Sequence, residues 1–247
     1  MTYRTGLVSI SFRKASVEEL IEASLAAGIT AIEWGSDVHV PAGNVEAAKK
    51  TAELCAKAGI TLPQYGSYYY LTYEPETFAG VLECARALGT PLIRVWGGKT
   101  SSDQLTVDKY AELVADARRI CDMAKDKIIC LECHKNSVTD EYHTALQFLK
   151  DVDRENLKMF WQPHQFRNLS YNLDALRALL PYVHSVHVFS WDREKMYPLA
   201  WGQDAWLQYL DILKKAGIEN YMLEFMHDHR LESLQETANT LTKWLEE

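Results

Sequence analysis

Apolar and polar residues follow two periods along the chain, one typical of buried strands and one typical of amphipathic helices. Short apolar runs are followed by longer stretches, such as 45–58 and 78–88, whose apolar residues recur at helical spacing. Glycine is favoured just after a helix, because the backbone there turns left-handed. The pattern therefore predicts alternating helices and strands, with glycines between them at Gly28, Gly59, Gly89 and Gly217. A strand is predicted after each of these glycines, over residues 29–34, 60–65, 91–96 and 218–225.

The spacing of these glycines predicts how many units the chain contains. The first three are 31 and 30 residues apart, and the fourth follows 128 residues later, which is four units of 32. Three more helix-to-strand junctions fall in that gap, before Ile128, Leu157 and Val183. With a first strand near 5–10, the chain has eight strands alternating with eight helices, as in a single-domain (β/α)₈ TIM barrel over residues 1–247.

A doubly wound open sheet is the main alternative to the barrel. That fold would place Gly-x-Gly-x-x-Gly after its first strand, and the chain has no such motif there.

The starts of several helices are also predicted. Ser16 and Glu19 form a capping-box pattern, and Thr106 and Asn172 are expected to cap later helices.

Four strands in the second half of the chain each carry a polar residue at or near their end. The stretch 127–134 reads Lys-Ile-Ile-Cys-Leu-Glu-Cys-His, so an apolar run ends in the carboxylate of Glu132. A carboxylate is costly to bury unless it is paired, binds a metal or transfers protons. In a barrel these strand ends meet, and oxygen and imidazole ligands suit Mg²⁺, Mn²⁺, Co²⁺ or Zn²⁺. The predicted divalent-metal ligands are Glu132, Gln162, His187 and Glu224.

Aromatic residues occupy the corresponding positions on earlier strands. Trp34, Tyr65 and Trp96 are expected at the same level as the predicted ligands, where aromatic walls suit the apolar faces of a small sugar or polyol. His134 shares a strand face with Glu132 and is a candidate for contacting substrate or for orienting that carboxylate.

Composition limits the classes of function. The 247 residues include 26 Lys and Arg against 34 Asp and Glu, a net charge of −8, which disfavours a nucleic-acid partner. No apolar run approaches the roughly 20 residues that span a bilayer, and no signal-peptide pattern opens the chain, so no membrane partner is expected. Five cysteines without a framework spacing suit a reducing cytoplasm.

The order of motifs resembles a known family. Leu-Glu132, Trp-Gln162-Pro-His-Gln165, Val-His187-Val and Leu-Glu224 occur in the order seen in xylose-isomerase-like barrels, in particular the sugar-phosphate isomerase and epimerase group. The stretches 31–35 (Ala-Ile-Glu-Trp-Gly) and 198–202 (Pro-Leu-Ala-Trp-Gly) extend the resemblance over nearly the whole chain. That group includes ketose 3-epimerases, hydroxypyruvate isomerases, inosose dehydratases and enzymes of the endonuclease IV type.

The resemblance implies roles for several residues. Glu132, His187 and Glu224 match metal ligands of the epimerases, whose two glutamates also exchange a proton next to a carbonyl. Arg193 stands six residues after the metal histidine, where those enzymes have a substrate-binding arginine. The implied substrate contacts, together with those expected from position, are Trp34, Trp96, His134, His164, Gln165 and Arg193.

The sixth strand departs from the family pattern. Epimerases have Asp-x-x-His there, whereas this chain has Gln162-x-x-Gln165 with His164 between them. An amide oxygen can bind a metal but brings no negative charge, so weaker metal binding is expected. Trp161-x-x-His164 is an alternative register that would align His164 with the motif instead.

The expected function is metal-dependent isomerisation or epimerisation of a small sugar, sugar phosphate or related polyol. Two alternatives remain open: a dehydratase of the inosose type that uses the same metal, and a barrel that binds a sugar without catalysis. An endonuclease IV activity is disfavoured, because those sites resemble three-metal clusters and the acidic charge suits DNA poorly. The sequence leaves open whether the chain forms a homo-oligomer.

Overall fold

Eight parallel strands form a closed barrel in the computed structural model, which describes residues 3–192 and 194–247. The strands pair in chain order, and the last closes onto the first with Leu7 beside Leu223. The predicted (β/α)₈ barrel is therefore confirmed. The strands are β1 Arg4–Val8, β2 Ala31–Gly35, β3 Gln64–Tyr70, β4 Leu92–Trp96, β5 Ile128–Glu132, β6 Leu157–Trp161, β7 Val183–Val188 and β8 Asn220–Leu223.

Eight α-helices alternate with these strands. Ser16 and Glu19 form the predicted capping box, and the Thr106 side chain accepts a hydrogen bond from the backbone N–H of Lys109. The four predicted glycines all have positive φ, between 71° and 78°. None of the described helices combines the length and apolar character that crossing a membrane requires. The helices are α1 Val17–Ala26, α2 Val45–Ala58, α3 Phe78–Leu88, α4 Val107–Met123, α5 Tyr142–Val152, α6 Leu169–Leu179, α7 Gln203–Lys215 and α8 Leu234–Glu246.

The prediction that Asn172 caps a helix is wrong. Helix α6 begins one turn earlier, and Asn168 caps it by accepting a hydrogen bond from the backbone N–H of Tyr171. Asn172 is buried inside the helix, and its side-chain oxygen accepts from the backbone N–H of His164 at 2.7 Å. Asn172 therefore anchors the loop after β6. A local capping pattern in the sequence does not distinguish this role from that of a helix cap.

The third strand lies further along the chain than its predicted position of 60–65. Thr61 forms only an isolated bridge to Ala31, and Pro63, which has no N–H to donate, precedes the regular strand. The strand instead runs through Tyr70, since the tyrosines of the sequence Ser-Tyr-Tyr-Tyr favour extended backbone. This shift places Tyr68 at the C-terminal end of the barrel.

Apolar side chains fill the space on both sides of the sheet. The main core lies between strands and helices and includes Leu7, Ile32 and Val95. Inside the barrel, Leu92, Cys130 and Phe160 form a separate apolar cluster. Since side chains alternate along a strand, the inward positions two residues after Leu92, Cys130 and Phe160 are polar: Arg94 in β4, Glu132 in β5 and Gln162 directly after β6.

Candidate active site at the C-terminal end of the barrel

All four predicted metal ligands lie at the C-terminal end of the barrel. Glu132 is the last residue of β5, and His187 lies next to the end of β7. Gln162 and Glu224 directly follow β6 and β8. All four are buried, with at most 5% of their surface exposed. The fold therefore places them where the catalytic residues of such barrels gather.

Two further charged residues, Glu33 of β2 and Arg94 of β4, complete a buried charge cluster with Glu132, His187 and Glu224. Arg94 Nη1 lies 3.2 Å from Glu132 Oε2, and Arg94 Nε lies 3.8 Å from Glu33 Oε1. Neither residue is among those predicted from the sequence. Each is a lone charge in an otherwise apolar strand, the same signal that identified Glu132, but it falls in the middle of the strand rather than at its end.

A chain of hydrogen bonds fixes the imidazole of His187. Its Nε2 lies 2.9 Å from Glu33 Oε2, and its Nδ1 lies 3.6 Å from Glu224 Oε2. The Gln64 amide donates to Glu33 at 2.7 Å and accepts from the hydroxyl of Ser185 at 2.8 Å. Side chains from β2, β3 and β7 together therefore set the orientation of the ring.

Glu132 is held from two sides. The guanidinium of Arg94 pairs with one carboxylate oxygen, and the Gln162 amide nitrogen donates to the other at 3.1 Å. The same amide nitrogen donates to a backbone carbonyl at 2.9 Å. Arg94 also lies over the rings of Tyr68 and Trp96, 5.2 and 4.9 Å from their centroids. Aromatic faces and carboxylates thus stabilise the buried cation.

The charges in the cluster shift one another's pKa values. Burial raises the pKa of Glu224 to about 7, although His187 acts in the opposite direction. Burial alone would lower the pKa of His187, but Glu224 and Glu33 outweigh it and raise that pKa to about 9. Burial also disfavours the charged form of Glu33, yet His187 and Arg94 keep its pKa below the ordinary value. The cluster therefore contains a carboxyl group, Glu224, that can hold or release a proton near neutral pH.

The predicted ligands suit a divalent ion in their chemistry. Three of them have a buried atom without a hydrogen-bond partner in the described chain: Glu132 Oε2, Gln162 Oε1 and His187 Nδ1. Oxygen donors suit Mg²⁺ or Mn²⁺, and a deprotonated imidazole nitrogen suits Mn²⁺, Co²⁺ or Zn²⁺. Within residues 3–192 and 194–247, however, no group of three His, Cys, Asp or Glu residues is arranged to hold an ion. The donor types fit a metal, and metal binding stays a prediction.

Replacing Gln162 with aspartate tests its role as a ligand. We expect Gln162→Asp to bind Mn²⁺ more tightly, by on the order of tenfold or ~1.4 kcal/mol, because a carboxylate attracts a hard cation more than an amide does. Calorimetric titration of the purified proteins measures the affinity. Gln162→Leu removes the ligand atom and serves as the matched control, with weaker binding than the unmodified chain. Equal affinities in all three proteins would show that Gln162 does not bind the metal.

Trp96 and His134, two of the predicted substrate contacts, lie beside the charge cluster. Their rings meet edge to face, with centroids 4.3 Å apart. Tyr70 stacks on Trp96 at 5.4 Å, and Tyr68 lies 6.0 Å from it. The aromatic wall at the mouth of the barrel therefore consists of Trp96, Tyr68 and Tyr70. Contact of these rings with substrate remains a prediction.

The structure contradicts the expectation that Trp34 and Tyr65 belong to this wall. Trp34 is fully buried in the core between the sheet and the helices, with its ring 5.6 Å from that of His39. Tyr65 lies in the same core, and its hydroxyl donates to a backbone carbonyl at 2.6 Å. In β2 the inward position belongs to Glu33, so its neighbour Trp34 points outward. Trp34 is therefore a core residue and does not line the mouth.

The remaining predicted substrate contacts follow β6 and β7. His164 and Gln165 are half-buried and line a small cavity together with Gln162. The His164 ring lies beside Tyr171, with centroids 6.3 Å apart, whereas Gln162 reaches Glu132. This placement favours Gln162 over His164 as the residue next to the cluster. Arg193 lies outside the described residues.

Gly66 of β3 leaves room for the buried ion pair. A Cβ at this position would lie 2.4 Å from Glu33 Oε1 and 3.2 Å from Arg94 Nη2. We expect Gly66→Ala to destabilise the fold by about 1–3 kcal/mol, because the methyl group forces the buried charges apart. Urea unfolding measures the loss. Gly97→Ala is the control, since its Cβ would meet the Val138 methyl at 3.0 Å instead of a charged group. Equal losses of stability in Gly66→Ala and Gly97→Ala would mean that the pair of Glu33 and Arg94 does not depend on the space at Gly66.

Sequence comparison assigns the chain to a family. The model of the xylose isomerase-like TIM barrel family matches residues 21–247. The chain belongs to this family. The 3-dehydroshikimate dehydratase of Bacillus anthracis is 22% identical over 195 residues, which cover 74% of this chain and 70% of that protein.

Several solved structures have the same fold as this chain. The crystal structure of the probable 3-DHS dehydratase AsbF, involved in petrobactin synthesis in Bacillus anthracis, has a TM-score of 0.81 at 20% identity, covering 98% of this chain and 99% of that one. The structure of L-ribulose 3-epimerase has a TM-score of 0.74 at 14% identity, covering 100% of this chain and 95% of that one. At these identities the structural likeness shows the shared fold.

Proposed function

We propose that the chain isomerises or epimerises a small sugar or polyol by moving a proton on the carbon next to a carbonyl group. The observation that carries this proposal is the pair of buried carboxylates, Glu132 and Glu224. Their strands, β5 and β8, are three positions apart around the closed barrel, so the two groups approach the mouth from different sides. An epimerase needs a base on one face of the reacting carbon and an acid on the other.

The surroundings of the two carboxylates suit different roles. Arg94 and the amide of Gln162 fix Glu132 in place. Glu224 faces His187, and burial raises its pKa to about 7. Groups whose surroundings differ in this way divide the work of base and acid. Trp96 and His134 would hold the carbon chain of the substrate beside them.

We include a divalent ion in this proposal, because a xylose isomerase-like TIM barrel protein from Mycobacterium smegmatis was solved in complex with magnesium. Glu132, Gln162, His187 and Glu224 would hold it, and when bound it would polarise the carbonyl and the neighbouring hydroxyl of the substrate. Arg94, the buried cation beside Glu132, would stabilise negative charge that develops on the substrate oxygens. Glu33 and Gln64 would keep the His187 ring oriented.

Dehydration is a second candidate reaction. The similarity to the 3-dehydroshikimate dehydratase favours it. Such a reaction begins with the same removal of a proton next to a carbonyl, and then loses hydroxide from the adjacent carbon as that group takes up a proton. The same carboxylates would serve as base and acid. The two candidate reactions therefore differ only in the fate of the anion formed in the first step.

Exchange of the reacting proton with solvent tests both candidates. The purified chain with Mn²⁺ is incubated in deuterated water with ketoses, their phosphates, inososes and 3-dehydroshikimate, and NMR follows deuterium at the carbon next to the carbonyl. An isomerised or epimerised product supports the first candidate, and loss of water supports the second. If a compound binds but never exchanges or reacts, the barrel is a sugar-binding protein and both catalytic candidates are wrong.

A further inference from the structure

A large cavity opens between the loops that follow β1 and β8. It has a volume of about 470 Å³, within the range of small-molecule sites. Apolar walls come from Ile10, Phe12 and Phe225. Its lining also includes Ser11, Arg13, Lys14, Ala15, His229 and Leu231. We call this space the rim cavity.

The rim cavity adjoins the candidate active site. Phe225 directly follows Glu224, and its backbone N–H donates to the hydroxyl of Ser11 at 2.9 Å. Ile10 belongs to an apolar cluster on which Phe225 and Tyr68 pack. The Tyr68 ring in turn lies under Arg94 of the charge cluster. A molecule whose carbonyl end lies near Glu224 can therefore extend into this cavity.

The charge of the rim cavity differs from that of the chain as a whole. The chain has a net charge of −8, yet the cavity lining contains Arg13, Lys14 and His229 and no carboxylate. Four other cavities in the described chain each include at least one Asp or Glu. Cations gathered in a partly apolar pocket attract an anionic group.

The two permanent cations are not equivalent. Arg13 pairs with Asp37, and its Nη2 donates to the hydroxyl of Tyr68 at 2.8 Å. Lys14 forms no ion pair within the described residues. Arg13 therefore fixes the wall between the rim cavity and the charge cluster, while the ammonium of Lys14 is free to meet a ligand.

We infer that the rim cavity binds an anionic group, a phosphate or a carboxylate, at the far end of the substrate. The inference rests on the proposed function for the rest of that molecule, and it specifies the substrate class as acidic or phosphorylated polyols. The apolar walls cover the carbon chain next to the anion. Lys14 and His229 bind the anion, and Arg13 positions the wall through Tyr68.

Anion binding by the whole chain tests this inference without any turnover. Methyl phosphate and acetate are titrated separately into the ¹⁵N-labelled protein, and amide signals of residues 11–15 and 229 are followed by NMR. We expect these signals to shift, and Lys14→Gln to weaken binding by about tenfold, the effect of losing one charge-assisted hydrogen bond. The probe that binds more tightly shows whether the rim cavity prefers a phosphate or a carboxylate. Lys109→Gln, in the lining of another cavity, is the control and should bind like the unmodified chain.

Two results would overturn the inference. One is that neither probe shifts the signals of residues 11–15 and 229. The other is that Lys14→Gln binds both probes as tightly as the unmodified chain does. Failure of the proposed function is a separate result: anions would bind in the rim cavity, but no candidate substrate would exchange its proton. Conversely, exchange of a ketose phosphate and of 3-dehydroshikimate with the same kcat/KM in the unmodified chain and in Lys14→Gln would leave the proposed function standing and exclude an anion site at Lys14 in substrate binding.

Discussion

Replacing Arg94 with methionine is expected to destabilise the fold by about 3–5 kcal/mol, the usual cost of removing one partner from a buried ion pair. Arg94 is 1% exposed, and the carboxylates beside it, Glu33 and Glu132, are equally enclosed. Without the guanidinium, their negative charges would stay buried and lose their nearest permanent cation. Methionine fills much of the space, so the loss reports mainly on charge. Urea unfolding followed by tryptophan fluorescence measures it.

Two further variants make this prediction specific. Arg86 forms an ion pair with Asp126 at 2.7 Å, but both side chains are about half exposed. Arg86→Met should therefore change stability little. Arg94→Lys keeps the charge but loses the planar group that lies over the rings of Tyr68 and Trp96, so its stability should fall between those of the unmodified chain and Arg94→Met. If Arg94→Met and Arg86→Met lower the free energy of unfolding by the same amount, the stability of the charge cluster does not depend on its buried cation.

Replacing Glu224 with glutamine is expected to slow solvent exchange of the substrate proton by about 10²–10⁴-fold, the usual contribution of a positioned acid or base. Glutamine has nearly the same shape but cannot take up a proton. The fold should survive, since burial already favours the uncharged form of Glu224 by raising its pKa to about 7. Exchange in deuterated water measures the rate, and urea unfolding checks that the barrel is intact.

The same strand provides a control for this variant. Glu219 precedes β8 at the opposite end of the barrel and is exposed. Glu219→Gln removes the same charge from the chain and should leave the exchange rate unchanged. If both variants exchange at the rate of the unmodified chain, Glu224 is not the acid or base.

The sequence was sufficient for the barrel because its signals are local and repeated. Helix-ending glycines at intervals of about 31 residues can be read without knowing any contact, and the structure shows all four with positive φ. The position of β3 was less predictable, since Ile60 and Leu62 look like strand residues while Pro63 interrupts their pairing. The regular strand begins after the proline, where the apolar pattern is weaker.

The candidate site was predictable only in part, because the direction of a side chain depends on the register of its strand. Glu132 stands out at the end of an apolar run, but Glu33 lies next to Trp34, and the aromatic pattern predicts the tryptophan at the mouth. Adjacent side chains cannot both face inward, and the structure gives that position to the glutamate. The role of Arg94 depends on carboxylates from other strands, and that proximity exists only in the folded chain.

The hydrogen-bond chain from Ser185 through Gln64 and Glu33 to His187 has a consequence for moving this chemistry to another scaffold. It links three strands that are far apart in sequence, and its first member does not belong to the charge cluster. A designer who transplanted only the four predicted ligands would leave the imidazole free to rotate. The set of residues to be transferred also includes Ser185, Gln64 and Glu33, together with the glycine at Gly66 that leaves space for the ion pair. A recipient barrel must provide these residues at equivalent positions along its strands.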